Sequence, residues 1–119
     1  VVMSLLIALF LALGAPKANA AEKWLVTAYC PGKCCCGPKA AGKTASGKAV
    51  RTGMCAVNWL PFGTRLKIQD LGTYVVEDRG ARSLFGSKDN PVRHVDIFME
   101  SHQEALGFGK KFLEAEIIR

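Results

Sequence analysis

Much of what common enzymes and binders rely on is scarce in this 119-residue chain. There are only two histidines, His94 and His102, and no serine sits in a G-x-S-x-G elbow, so no Ser-His triad is assembled. Aromatic residues make up 8% of the chain and no basic run exceeds Lys110-Lys111. That argues against a nucleic-acid interface, which concentrates Lys and Arg with interleaved aromatics on one element. No apolar run approaches the roughly 20 residues of a membrane-spanning helix. The longest, Leu5 to Leu13, breaks at Gly14, Pro16 and Lys17. The length also excludes a Rossmann enzyme, a TIM barrel or a two-domain machine. With 50% hydrophobic and 22% charged residues, the composition is that of a folded protein and excludes disorder.

Present instead is the outline of an exported small domain. Leu5 to Leu13 has the length of a signal-peptide apolar region, and Ala18-Asn19-Ala20 is a small-x-small cleavage site. Residues 1–20 are therefore expected to be a signal peptide, and residues 21–119 one domain with no membrane span. The domain holds 15 basic and ten acidic side chains, a modest excess that suits an anionic wall or polysaccharide partner. Five cysteines agree with an oxidising compartment: Cys30, Cys34, Cys35 and Cys36 cluster, and Cys55 stands apart. One or two disulfides are expected, with Cys55 pairing back to the cluster. Three consecutive cysteines cannot all reach one tetrahedral ion, so no metal site is expected.

The domain reads as short strands punctuated by Gly and Pro, with one helix late on. Trp24 to Tyr29, Met54 to Val57, Leu66 with Ile68, Thr73 to Glu77, Arg93 to Met99 and Phe112 to Ile118 are the strands. Asp70-Leu71-Gly72 turns a hairpin between the third and fourth, and residues 79–92 read as a loop. Ser101-His102-Gln103-Glu104 is a capping box that starts a helix running to about Phe108. Sequential hairpins and a last strand that must return to the sheet predict a mainly-β fold, a small closed six-stranded barrel with one short helix.

Among the ten acids, most have plain places: Glu114 and Glu116 on a wet strand face, Glu104 in the capping box, Asp70 and Asp89 in turns. Asp78 and Asp96 differ, because each lies at or within a mainly apolar strand, where a carboxylate needs partners. Val95, Ile97 and Met99 alternate with His94, Asp96 and Phe98, so Asp96 faces away from the aliphatic side. If Asp78 and Asp96 converge, repulsion and apolar surroundings raise one pKa and create a general acid. The plainer alternative is salt bridging of the two to Arg79 and Arg93.

Six segments in this order resemble one family. They are Trp24 to Cys36 (WLVTAYCPGKCCC), Thr44-Ala45-Ser46-Gly47, Ala56-Val57-Asn58 with Leu60 to Thr64, Val76 to Gly80 (VEDRG), Val95 to Phe98 (VDIF) and Ser101 to Gly109 (SHQEALGFG). Together they are similar to the 3D domain, named for three aspartates. The resemblance implies a double-psi β-barrel akin to the catalytic domain of membrane-bound lytic murein transglycosylase A and to stationary-phase muralytic proteins. It implies cleavage of peptidoglycan between N-acetylmuramic acid and N-acetylglucosamine with a 1,6-anhydro product, and no cofactor. Asp96 takes the position of the last family aspartate, the general acid and base, and Asp78 that of the middle one. Thr44 and Ser46 take positions lining the substrate groove, and Tyr29 and Asn58 are the remaining candidate substrate-binding residues. Asn58 replaces the family's first aspartate. The connection between the last two aspartates is longer and more basic than usual, and Asp89 falls at the customary spacing, but the VDIF and SHQEAL context selects Asp96. A wall-binding, expansin-like barrel that grips glycan without cutting it is the alternative.

Overall fold

The computed structural model describes residues 21–32 and 42–118. The expected signal segment and Cys34, Cys35 and Cys36 lie outside the described residues. Six strands, β1 (Glu22–Tyr29), β2 (Met54–Ala56), β3 (Arg65–Ile68), β4 (Gly72–Asp78), β5 (His94–Phe98) and β6 (Lys111–Ile118), form a closed barrel in the order β1-β5-β2-β4-β3-β6. The β1/β5 and β2/β4 pairs are parallel and the other four antiparallel. Closure leaves no unpaired edge, as the hairpin pattern predicted.

Period-two alternation makes the core. Trp24 and Val26, Leu66 and Ile68, and Val95 and Ile97 point inward, joined by Cys55, Val57, Leu60, Val76 and Ala115. Each large aliphatic among them, buried to 6% exposure or less, contributes about 1.5–3 kcal/mol. Trp24 stacks on Trp59 with ring centroids 5.7 Å apart. The β3–β4 hairpin turns through Asp70, whose φ of 65° puts it in the left-handed region that Asp tolerates, and Gly72 at φ 105°.

The chain departs from the sequence reading in two ways. Among the described residues two helices are present, not one: α1 (Arg82–Phe85) lies inside the stretch read as loop, and α2 (His102–Phe108) is the expected one. The α2 cap is half of the predicted box, since the Ser101 hydroxyl accepts from the Glu104 N–H at 3.0 Å. The single turn of α1 has no side-chain cap and is held by tertiary contact, its Phe85 buried against His94. Propensity cannot reveal such a helix. Secondly, Cys55 does not pair with the cluster. It is a free thiol at 0% exposure inside the barrel, because the β2 alternation that buries it turns it away from the surface. Burial, aided by the charges of Asp96 and Asp78, pushes that thiol up to about 12. Among the described residues no helix is long and apolar enough to cross a membrane.

The outer face of β1, β2 and β5 carries a second, smaller apolar cluster of Tyr29, Met54 and Phe98, with Val50 of the preceding loop packed on it. One patch of the barrel's outside is therefore covered by chain rather than by water. That is where the two strand-borne acids sit.

Candidate active site

Register brings the acids together. In β2, Ala56 is opposite Asp96 on one side and, after a bulge between Cys55 and Ala56, opposite Asp78 on the other. Paired residues share a face, so the two carboxylates flank Ala56, their backbones two strand spacings apart, roughly 10 Å. A methyl group is all that stands between them in the row. Without the bulge the parallel register would bring Glu77 opposite Ala56.

Asp78 accepts at both oxygens. Its Oδ1 takes the Ala45 and Arg79 backbone N–H groups, each at 2.9 Å, and its Oδ2 takes the Tyr29 hydroxyl at 3.0 Å. The acid at the strand end is thus the anchor of the 42–50 loop. Asp96 is half-buried, and its Oδ1 lies 2.9 Å from the Thr27 hydroxyl of the adjacent strand. Burial raises its pKa, opposed by Thr27 and reinforced by the negative charge of Asp78, to about 6. Asp78 and Asp96 are brought together as the sequence reading required. The salt-bridge alternative is not what the arginines do: Arg93 pairs with Glu22, while Arg79 donates to the Val57 carbonyl at 2.8 Å and lies 3.9 Å over the Phe62 ring. Asp89 is exposed in the turn closed by the Gly86–Pro91 bridge, as expected of a turn residue.

Thr44 and Ser46 lie in the loop that Asp78 holds. Thr44 is buried, with its hydroxyl 2.8 Å from that of Ser46 and donating to the Lys48 carbonyl at 3.2 Å. Ser46 is fixed to β4 by its N–H on the Glu77 carbonyl at 3.1 Å. Their hydroxyls shape the turn, which in turn presents Ala45 N–H to Asp78. Beneath it Glu77, only 1% exposed, takes Lys48 Nζ at 2.7 Å, and this bond holds its carboxyl below the usual range. Tyr29 bridges the outer apolar cluster and Asp78, its ring edge against Phe98 at 5.7 Å.

On the other side, Asn58 pins the loop that follows β4. Its Nδ2 donates to the carbonyls of Gly80 at 3.0 Å and Gly86 at 2.8 Å, and its Oδ1 accepts the Gly80 N–H at 2.7 Å. A carboxylate there would have no hydrogens for the two carbonyls. Gly80 is obligatory for close approach: a Cβ would fall 2.3 Å from the Phe85 ring. Phe85 in turn stacks on His94 with centroids 3.9 Å apart and planes 9° from parallel.

Thr27, His94, Glu77 and Lys48 were not singled out as site residues from sequence. The alternation that put Asp96 on one face of β5 also put His94 there, and Thr27 alternates with the core residues Trp24 and Val26 in β1, so a signal existed for those two. Nothing local marks the Lys48–Glu77 pair, which is 29 residues apart in sequence. Among the described residues no three His, Cys, Asp or Glu side chains gather into a metal-binding group. No protein-family model matches the chain, and no curated protein matches it in sequence.

Proposed function

We propose that this protein is an exported lytic transglycosylase of peptidoglycan, a double-psi barrel of the 3D type in which Asp96 is general acid and then general base. The closed six-stranded barrel with two parallel pairs is compatible with that fold. The observation that carries the reading is the half-buried Asp96 carboxyl, raised to about 6 beside a second acid that is held as an acceptor.

One titrating carboxyl suits this chemistry. Glycosidases that use water need a second carboxylate as base, and retaining ones need a nucleophile. In an anhydro-forming cleavage the sugar's own C6 hydroxyl attacks C1. Protonated Asp96 gives its hydrogen to the departing glycosidic oxygen, and the resulting carboxylate accepts the hydrogen of the C6 hydroxyl. Asp78, its oxygens taken by the Tyr29 hydroxyl and the Ala45 and Arg79 N–H groups, transfers no proton in this scheme. Its charge helps keep Asp96 protonated, and its hydrogen bonds fix the loop beside the glycan. The basic excess of the domain favours encounter with an anionic wall polymer.

The test is digestion of purified peptidoglycan, read as anhydro-muropeptides by mass spectrometry. Wild type should release them, and Asp96→Asn, which keeps the shape and removes the titrating proton, should lose activity about 100-fold or more. Equal product from both proteins refutes the role of Asp96. Retention on peptidoglycan with no product from either favours a non-catalytic wall-binding barrel.

A further inference from the structure

Both ring nitrogens of His94, a residue 6% exposed, face a partner. Nδ1 is 3.2 Å from the Leu84 carbonyl and Nε2 is 2.8 Å from the Thr27 hydroxyl. A carbonyl only accepts, so Nδ1 carries a hydrogen. In the neutral ring Nε2 is then bare and takes the one hydrogen of the Thr27 hydroxyl. Thr27 Oγ1 is also 2.9 Å from Asp96 Oδ1. With its own hydrogen used on His94 it can only accept, and the missing hydrogen must sit on Asp96. The reverse order works equally well: an imidazolium donates from Nε2 to Thr27, whose hydrogen then points to an Asp96 carboxylate. Each arrangement contains one proton. With none, Thr27 would need two hydrogens to satisfy both neighbours.

We propose that Asp96 and His94 share a single proton through the Thr27 hydroxyl, making Thr27 and His94 the residues that hold the protonation state of the acid. In the exchange the imidazolium Nε2–H bond breaks as an O–H bond forms on Thr27, and the former Thr27 hydrogen moves to Asp96 Oδ1. An imidazolium and a carboxylate become an imidazole and a carboxylic acid, with no outside reactant. The proposal rests on the transglycosylase reading only for its catalytic consequence, that Thr27 and His94 are positioning residues of that reaction.

The surroundings fit. Burial lowers the His94 pKa, with the Leu84 carbonyl opposing and the charge of Lys110 assisting, while burial raises that of Asp96, so the two affinities approach each other. The other ionisable groups acting on the pair are Asp78 and the thiol of Cys55; α1 offers only the Leu84 carbonyl and the Phe85 ring.

With two histidines in the chain, ring nitrogen-15 NMR on the full protein reads His94 directly, the second resonance being assigned by His102→Gln. Neutral His94 should be the Nδ1–H tautomer, the minor one in water. Asp96→Asn, whose amide can stand in for the protonated acid, should keep that tautomer and lower the His94 midpoint by about one pH unit or more, because the imidazolium loses its counter-charge. Thr27→Val leaves the Leu84 carbonyl to hold the Nδ1–H tautomer but should shrink the effect of Asp96→Asn on the His94 midpoint, and Thr27→Ser should restore that effect. An Nε2–H tautomer in wild type, or the same His94 titration in wild type and Asp96→Asn, overturns the shared proton. Loss of muropeptide release with this NMR pattern intact would defeat only the enzymatic reading, and the converse only the relay.

Discussion

Replacing the acid of the site with its neutral isostere should make the barrel more stable, and only above acidic pH. The Asp96 carboxyl is raised in the folded protein from 3.8 to about 6. Folded chain therefore holds this proton more tightly than unfolded chain between those two values. Its contribution is fully stabilising below about 3.8, falls as pH rises through the interval, and is gone above about 6. At about 1.36 kcal/mol per unit, the accumulated loss approaches 3 kcal/mol at neutral pH. Asp96→Asn escapes it, since the amide stays neutral and can still donate to Thr27. His94 acts in the opposite sense just below its ordinary 6.5, where the unfolded state binds more protons, and its lower midpoint in the variant affects the intermediate pH rather than pH 7.5. Urea denaturation at pH 3.5, 5 and 7.5 should give matched stabilities at the lowest pH and a variant more stable by about 2–3 kcal/mol at the highest. A pH-independent difference, or a variant less stable at pH 7.5, would refute the claim that the fold holds this carboxyl uncharged. A gain in stability coupled to loss of anhydro product would mark a site built at the expense of the fold.

The loops make independent predictions. Asn58→Asp should destabilise by about 2–4 kcal/mol in thermal or urea melts, because two carbonyls lose their donor and then face a charge. Gly80→Ala should cost a similar amount and displace the Phe85 ring from His94, visible as a changed His94 resonance. Lys48→Met leaves Glu77 buried without its cation, so its stability deficit relative to wild type should narrow as pH falls and Glu77 takes a proton. Cys55 should be inert to thiol reagents in the native protein and react only on unfolding, given 0% exposure and a thiol near 12; rapid native labelling of Cys55 would contradict the inward register of β2.

The barrel was legible because its strands alternate. Trp24 with Val26, Leu66 with Ile68 and Val95 with Ile97 declare an inner face, and closure follows from the need to pair the last strand. The same rule put Asp96 on the opposite face, and composition placed Asp78 at a strand end. What alternation cannot supply is register. The convergence of Asp78 and Asp96 depends on a one-residue bulge opposite Ala56, a feature of two strands at once that leaves no mark in either. The helix α1 escaped for a related reason, since only its contact with His94 and the glycines at 80 and 86 make one turn worth forming. Thr44 and Ser46, expected from the resemblance to line a groove, spend their hydroxyls on the loop that grips Asp78. Cys55 was misjudged because cysteine count was weighed ahead of its place in an apolar strand.

The same geometry bears on Asn58, which stands where the resembled family has its first acid. A carboxylate at this point would add a negative charge, yet charge is the minor contributor to the state of Asp96: burial comes first among the causes, and Asp78 only adds to it. Losing a third acid therefore takes little from the proton affinity of Asp96. Having an amide there gains a clamp that an acid cannot make, because the loop after β4 is longer and basic and must be tied at both Gly80 and Gly86 by donors. That loop carries the Leu84 carbonyl and the Phe85 ring, which together fix the His94 imidazole, and through Thr27 the hydrogen on Asp96. On this reading the amide does not weaken an acid site. It transfers part of the control of the acid from a neighbouring charge to a neighbouring imidazole.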